Sequence, residues 1–198
     1  VAITNINDAP TIGSTNEFTI AEATTTVGTI SATDQDSSAS SISFSLATGD
    51  AAVDDGLLAI NSSTGVVSFL SAPNFESPSD QGADNTYNFT VIASDGSVSS
   101  SVAMSVAVSN VNESPLFSVS SSQTYVENSG VSISVAANDQ DASASVSYSL
   151  SGLDASKFSI SSSGALSFAS APDYENPSDN GSNNVFNVSI SASDGSSS

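Results

Sequence analysis

The stretch TYNFTVIAS, residues 86–94, sets large apolar side chains at every second position. Tyr87, Phe89, Val91 and Ala93 would lie on one side of an extended chain, which is the pattern of a half-buried β-strand. The stretch VFNVSISAS, residues 185–193, repeats this alternation with Phe186, Val188, Ile190 and Ala192. We therefore predict a matching strand in each half of the chain.

Shorter runs around these two stretches also alternate. GVVSF at 65–69 and GALSF at 164–168 each begin with glycine, and VSISVAA at 131–137 continues the period of two. No sustained helical stripe interrupts them, and Gly, Pro, Asn and Asp separate them. Several short strands over about 100 residues favour a β-sandwich. Its core would use aromatic residues at matched positions, namely Phe44 with Tyr148, Phe69 with Phe168, and Tyr87 with Phe186.

The chain is a tandem duplication. Acidic residues recur first at an offset of 105, as in Glu22 with Glu127, and later at an offset of 99, as in Glu76 with Glu175. The stretch NINDAP at 5–10 likewise recurs as NVNESP at 110–115. A repeat of about one small domain in length predicts two similar domains in a row.

Composition excludes several classes of function. The chain has one basic residue, Lys157, against 21 carboxylates, so its formal net charge is −20. Nucleic-acid binding needs clustered cations, and an anionic membrane would repel this chain. Without Cys or His, thiol and imidazole catalysis and the usual zinc, iron and copper ligands are absent, so only metals that prefer oxygen ligands remain. The sequence contains no apolar run of about 18 residues, which is the length expected of a membrane span.

Each half carries the same acidic pair. TDQD contains Asp34 and Asp36, and NDQD contains Asp139 and Asp141. Two carboxylates two residues apart after a strand share a side and repel each other, and almost no Lys or Arg can offset them. A divalent cation would compensate the charge. The alternative is that these residues are solvated loop carboxylates that only increase solubility.

Taken together, these motifs resemble the cadherin-like calcium-binding repeats of large bacterial surface and secreted proteins. The resemblance rests on NINDAP, on TDQD and NDQD, on PNFE (73–76) and PDYE (172–175), and on the ASDG that ends each long strand. It implies an all-β chain of two seven-stranded Greek-key sandwiches. The expected parts are a stub of a preceding repeat at 1–9, repeat 1 at 10–109, a calcium-binding linker at 110–114, and repeat 2 at 115–198 without its last strand.

The resemblance also implies three groups of Ca²⁺ ligands, since calcium takes 6–8 oxygen atoms. The central junction would use Glu22, Glu76, Asn110, Asn112, Glu113, Asp139, Asp141 and Asp194. An N-terminal half-site would use Asn5, Asn7, Asp8, Asp34, Asp36 and Asp95. A C-terminal half-site would use Glu127, Asp173 and Glu175. Asn5, Asn74, Asn110 and Glu113 depart from the family pattern, so we expect about one to three ions at the junction.

The repeat frame raises a question about the last strand. Val1 aligns with Val106, and Ser198 aligns with Ser99, so repeat 2 has no counterpart of the strand that follows Ser99. One interpretation is that this strand lies outside the sequence. The other is that a neighbouring chain supplies it by strand addition.

We expect a calcium-stiffened extender or adhesion segment of an extracellular bacterial surface protein, whose partners are neighbouring repeats. The alternative is a module that binds polysaccharide or associates with itself, with Phe18, Phe117 and Tyr125 as candidate sugar platforms. An enzyme is disfavoured because the duplicated carboxylates lie where domains meet and no His or basic cluster could tune them.

Overall fold

The chain folds into two compact units. The structure is a computed structural model that describes residues 1–36, 41–49, 54–119, 122–129, 132–141 and 145–196. The first unit spans Val1–Val111 and the second spans Asn112–Ser198. Val131, the first residue of the predicted strand at 131–137, lies outside the described residues.

The elements with described bounds are strands and two short 3₁₀ turns, Asp55–Leu57 and Ala155–Lys157. The first unit contains β1 (Thr11–Ile12), β2 (Glu17–Ala21), β3 (Thr26–Thr29), β4 (Ala32–Thr33), β5 (Ser43–Leu46), β6 (Leu58–Ile60), β7 (Val66–Phe69), β8 (Thr86–Ser94) and β9 (Ser99–Ser109). The second contains β10 (Leu116–Phe117), β11 (Ser132–Ser134), β12 (Ala137–Asn138), β13 (Ser147–Ser151), β14 (Phe158–Ile160), β15 (Ala165–Phe168) and β16 (Ser189–Ser193). None of the described helical turns has the length and hydropathy needed to span a bilayer.

The first unit is built around the β8–β9 hairpin. These strands pair in antiparallel register from Thr86 opposite Ala107 to Ser94 opposite Ser99. β2 joins β9 in parallel and β5 joins β8, which makes a sheet of order β2-β9-β8-β5. A second sheet has the order β3-β7-β6, and β1 pairs with β4.

The inward faces of the two sheets share one core. On β8, Tyr87 and Val91 are 0% exposed and Phe89 is 1% exposed, as the alternation predicted. The Phe69 ring of β7 meets the Tyr87 ring edge-on, with centroids 4.8 Å apart. Side chains from both sheets belong to the same apolar cluster. The first unit is therefore a β-sandwich whose loops gather at its two ends.

The second unit repeats this plan with shorter strands. Its sheets have the orders β11-β15-β14, β13-β16 and β10-β12. The predicted core position Phe186 packs edge-on against Phe168, with ring centroids 5.0 Å apart, and Phe158 joins them. The three rings are partly rather than fully buried.

Part of the strand predicted at 185–193 does not form. Only Ser189–Ser193 is paired, with β13. In the first unit the matching residues of β8 pair along their whole length with β9, whereas the described part of the second unit holds no counterpart of β9. Residues 122–126, which align with β2, also form no described strand. In the first unit β2 pairs with β9, so the lack of a described counterpart of β9 also explains the absence of this strand.

Candidate metal-binding ends

Aspartates after the strands hold the entry segment of the first unit. Asp36 follows β4, and its two carboxylate oxygens accept hydrogen bonds from the Asn5 side-chain amide at 2.6 Å and from the Asp8 backbone amide at 2.7 Å. Asp95 follows β8 and accepts a bond from the Asn7 side chain at 2.6 Å. The predicted N-terminal residues are thus brought together with these aspartates.

Hydrogen bonding keeps these carboxylates ionised. The Asn5 side chain and then the Asp8 amide hold the pKa of Asp36 below its ordinary value. For Asp95, the Val98 amide is the main cause of a lowered pKa, followed by the Asn7 side chain. Donors favour the charged form of a carboxylate, so both groups remain anionic at neutral pH.

The second unit repeats this arrangement at its own entry segment. The Asn112 side chain donates to Asp194 at 2.6 Å, and the Glu113 amide donates to Asp141 at 3.0 Å. The Asp141 amide in turn binds Asp139 at 2.9 Å, just as the Asp36 amide binds Asp34 at 2.8 Å in the first unit. We call Asp34, Asp36 and Asp95, with Asp139, Asp141 and Asp194, the entry aspartates.

A pair of glutamates lies elsewhere in the first unit. Glu22 directly follows β2 and is 4% exposed. Its carboxylate accepts the Phe75 amide and the Val111 amide, each at 2.8 Å. A carboxylate oxygen of Glu76 lies within 4.8 Å of one on Glu22. We call these two residues, and their counterparts Glu127 and Glu175, the exit glutamates.

The exit glutamates of the second unit share one hydrogen bond with those of the first. Glu127 accepts the Tyr174 amide at 2.7 Å. Carboxylate oxygens of Glu127, Asp173 and Glu175 lie within 4.8 Å of one another. These are the three residues predicted for the C-terminal half-site. In the first unit Asn74 replaces Asp173 and accepts the Ser77 amide at 2.7 Å, so one carboxylate is lost there. The remaining predicted ligand, Asn110, follows β9 and is exposed.

Some carboxylate oxygens lack a donor. Both oxygens of Glu76 and one oxygen of Asp139 are buried without a hydrogen-bond partner among the described residues. A buried anionic oxygen without a partner is costly unless a cation compensates it. Carboxylate oxygens are ligands that Ca²⁺ prefers. The residues present therefore fit a hard divalent cation.

Sequence reasoning missed four buried aspartates. Polar neighbours in the sequence place Asp54, Asp80 and Asp179 in solvated loops, and Asp154 belongs to no motif, yet the four are 7%, 6%, 6% and 1% exposed, in that order. Asp154 accepts the amides of Asn180 at 2.6 Å and Asn187 at 2.7 Å. Asp54 does the same for Gln81 and Asn88, both at 2.8 Å. One signal was available for Asp54 and Asp154, which lie 100 residues apart at matched positions, each directly before a 3₁₀ turn.

Asp80 and Asp179 stabilise a second loop in each unit. Asp179 accepts the amides of Asn183 at 3.0 Å and Asn184 at 2.9 Å, and the Asn183 bond is the main cause of its lowered pKa. Asp80 accepts the matching amides of Asp84 and Asn85. These aspartates organise loops and need no metal to satisfy them.

The candidate sugar platforms do not form one surface. Phe18 packs against the core of the first unit. Phe117 is 39% exposed and lies beside Tyr148, with ring centroids 6.4 Å apart. Tyr125 is partly buried. A stacked pair of exposed rings is therefore absent from these three positions.

Comparison with known proteins supports a cadherin-type fold. Residues 16–111 match the family model described as the cadherin domain. A search of curated proteins found no sequence match. Human protocadherin-24 EC1-2 in crystal form II is similar over 94% of this chain and 94% of that chain, with 22% identity and a TM-score of 0.58.

Two further solved structures show the same likeness. Another structure of human protocadherin-24 EC1-2 matches 95% of this chain and 94% of that chain, with 21% identity and a TM-score of 0.53. Drosophila N-cadherin EC1-4 matches 94% of this chain and 48% of that chain, with 18% identity and a TM-score of 0.53. The all-β sandwich prediction is confirmed. Residues 16–111 thus match the cadherin domain, and the chain has the fold of two cadherin repeats in tandem.

Proposed function

We propose that the chain is a calcium-stiffened extender segment, and that calcium binds where the first unit leads into the second. The observation that carries this proposal is the buried carboxylate of Glu76, neither of whose oxygens has a partner among the described residues. Asp139, in the second unit, adds one further oxygen in the same condition. Only one basic side chain exists in the whole sequence to compensate such groups.

Covalent connection supports a shared ion. The Val111 amide binds the exit glutamate Glu22 within the first unit, and the Glu113 amide binds the entry aspartate Asp141 within the second. Residues 111 and 113 are two positions apart, so their nitrogen atoms are at most about 7 Å apart in any arrangement. The proposed ligands are Glu22, Glu76, Asn110, Asn112, Glu113, Asp139, Asp141 and Asp194.

Bound calcium would neutralise several carboxylates and restrain the linker between the units. Each unit is compact by itself, so we expect both to fold without calcium and to lose only their fixed orientation. A segment with this behaviour serves as a non-catalytic spacer or adhesion element of an extracellular protein. In a chain of residues 1–198 alone, the entry aspartates of the first unit and the exit glutamates of the second would each supply only half of such a site and would bind calcium less tightly.

The test is small-angle scattering and thermal unfolding of this chain with millimolar calcium and with chelator. Calcium should fix the maximum dimension and raise the melting temperature. Asp139→Ala with Asp141→Ala should abolish most of this response. The matched pair, Asp34→Ala with Asp36→Ala, should leave most of it intact. A response that is absent in the unmodified chain, or unchanged by the Asp139 and Asp141 substitutions, would contradict the proposal.

A further inference from the structure

The loop between β15 and β16 contains an Asn-Gly dipeptide, Asn180–Gly181, which occurs once in the chain. Asn180 is exposed, and its side chain forms no hydrogen bond with the described residues. Its backbone amide, in contrast, is held at 2.6 Å by Asp154. The side-chain amide is therefore free to move beside a fixed main chain.

The following glycine leaves its nitrogen open to approach. Gly181 has a φ of +140°, and a Cβ atom at this position would have no neighbour closer than 3.7 Å. The Gly181 amide donates to the Asp179 carbonyl at 3.0 Å, a bond between residues only two apart. A single short-range bond of this kind is easily opened at a loop tip.

We propose that Asn180 is a site of spontaneous deamidation through the Gly181 nitrogen. The nitrogen loses its proton to solvent base and attacks Cγ of Asn180, so that an N–Cγ bond forms and a five-membered succinimide closes. The Cγ–Nδ2 bond of Asn180 then breaks, and Nδ2 takes up a proton and leaves as ammonia. Water then opens the ring to aspartate or, at its other carbonyl, to isoaspartate, with no oxidation or reduction.

The matched loop of the first unit supplies an internal control. Gln81 and Gly82 occupy the positions of Asn180 and Gly181, and the Gln81 amide binds Asp54 as the Asn180 amide binds Asp154. Attack on a glutamine side chain closes a six-membered ring, which forms far more slowly. The two loops thus share the bond to the buried aspartate but differ at the glycine, since a Cβ on Gly82 would lie 3.2 Å from the Asp84 side chain whereas one on Gly181 would meet nothing closer than 3.7 Å.

Isoaspartate would also loosen the second unit. It carries the main chain through the side-chain carbon, which adds one bond to the path between residues 180 and 181. Asp154 is 1% exposed and ties the 180 amide to the Asn187 amide at the approach to β16. A lengthened loop misplaces one of these donors and leaves part of a buried carboxylate unsatisfied.

The experiment is incubation of the folded chain in mildly alkaline buffer, followed by unfolding and cleavage after Lys157, the only Lys or Arg residue. Mass spectrometry with isoaspartyl methyltransferase should show several-fold faster modification at Asn180 than at any other asparagine. Asn180→Gln, which copies the first unit, should remove this signal. Gln81→Asn should create a second rapid site in fragment 1–157.

Modification at Asn180 that is no faster than at other asparagines would overturn the proposal, as would a signal that persists in Asn180→Gln. A Gln81→Asn chain that stays unmodified would overturn the role assigned to the shared loop. After the same incubation, the chain without a substitution should also melt at a lower temperature than the Asn180→Gln variant. Equal melting temperatures would refute the predicted effect on the second unit.

Discussion

At the scale of single residues, the buried aspartates Asp54 and Asp154 are the strongest local constraints. Each carboxylate binds two backbone amides that lie far away in the sequence. Hydrogen bonds to a charged acceptor are stronger than neutral ones, and an unsatisfied buried acceptor is costly. These residues hold distant loop segments together, as a disulfide or an ion pair does in other small domains.

Asp54→Asn should lower the free energy of unfolding of the first unit by about 1–3 kcal/mol. The carboxamide keeps one acceptor but turns its NH₂ group toward a backbone donor. Chemical denaturation measures the loss. The control is Asp84→Asn, because Asp84 accepts the Thr86 amide at 2.9 Å and Asn183 accepts the matching Val185 amide at 2.9 Å. Equal effects of both substitutions would contradict this account of Asp54.

At the scale of elements, the β6–β7 turn fixes how the second sheet meets the core. Gly65 has a φ of +70°, and a Cβ there would lie 2.2 Å from the Ile30 carbonyl oxygen. The Ile30 amide donates to the Gly65 carbonyl at 2.8 Å, and Ile30 is 1% exposed. The left-handed conformation and the close approach together require glycine here.

Gly65→Ala should destabilise the first unit by at least about 1–3 kcal/mol, the usual range for a strained left-handed residue. The clash with the Ile30 carbonyl adds to that value. Gly56→Ala is the matched control, since a Cβ there meets no atom within 4 Å. Thermal unfolding compares the two variants. A Gly65→Ala chain as stable as Gly56→Ala would show that the turn adapts without cost.

At the scale of the whole molecule, charge is the dominant property. A formal net charge of −20 makes the folded chain repel itself, and dissolved salt screens that repulsion. Specific binding can be separated from screening by comparing two divalent ions. Magnesium prefers a strict octahedral shell and keeps its water, whereas calcium accepts irregular carboxylate sites.

Sodium chloride and magnesium chloride should therefore raise the melting temperature modestly. Calcium chloride at the same concentration as magnesium should raise it several-fold more, because it adds binding free energy to screening. Differential scanning calorimetry over a concentration series measures both effects. Equal shifts with calcium and magnesium would leave only screening and would remove the argument for a calcium site.

Alternation of side chains predicted the fold because a strand that buries one face must repeat every two residues. Tyr87, Phe89 and Val91 needed no structural information to be assigned to the core. The duplication similarly placed Asp36 and Asp141 at matching positions of the two repeats, 105 residues apart. Both signals are local or periodic, so they can be recognised in the sequence without knowledge of the fold.

Contacts between distant segments were harder to predict from the sequence. A buried aspartate such as Asp154 has the same letter as a solvated one, and its burial depends on which amides from residues 180 and 187 reach it. The loss of strand structure at 185–188 depends on pairing with a separate strand. Sequence pattern thus established the sandwich, the repeat and the acidic candidates. Folding established which carboxylates are satisfied by amides and which, like Glu76, are not, because hydrogen-bond partners are assigned only when remote loops converge.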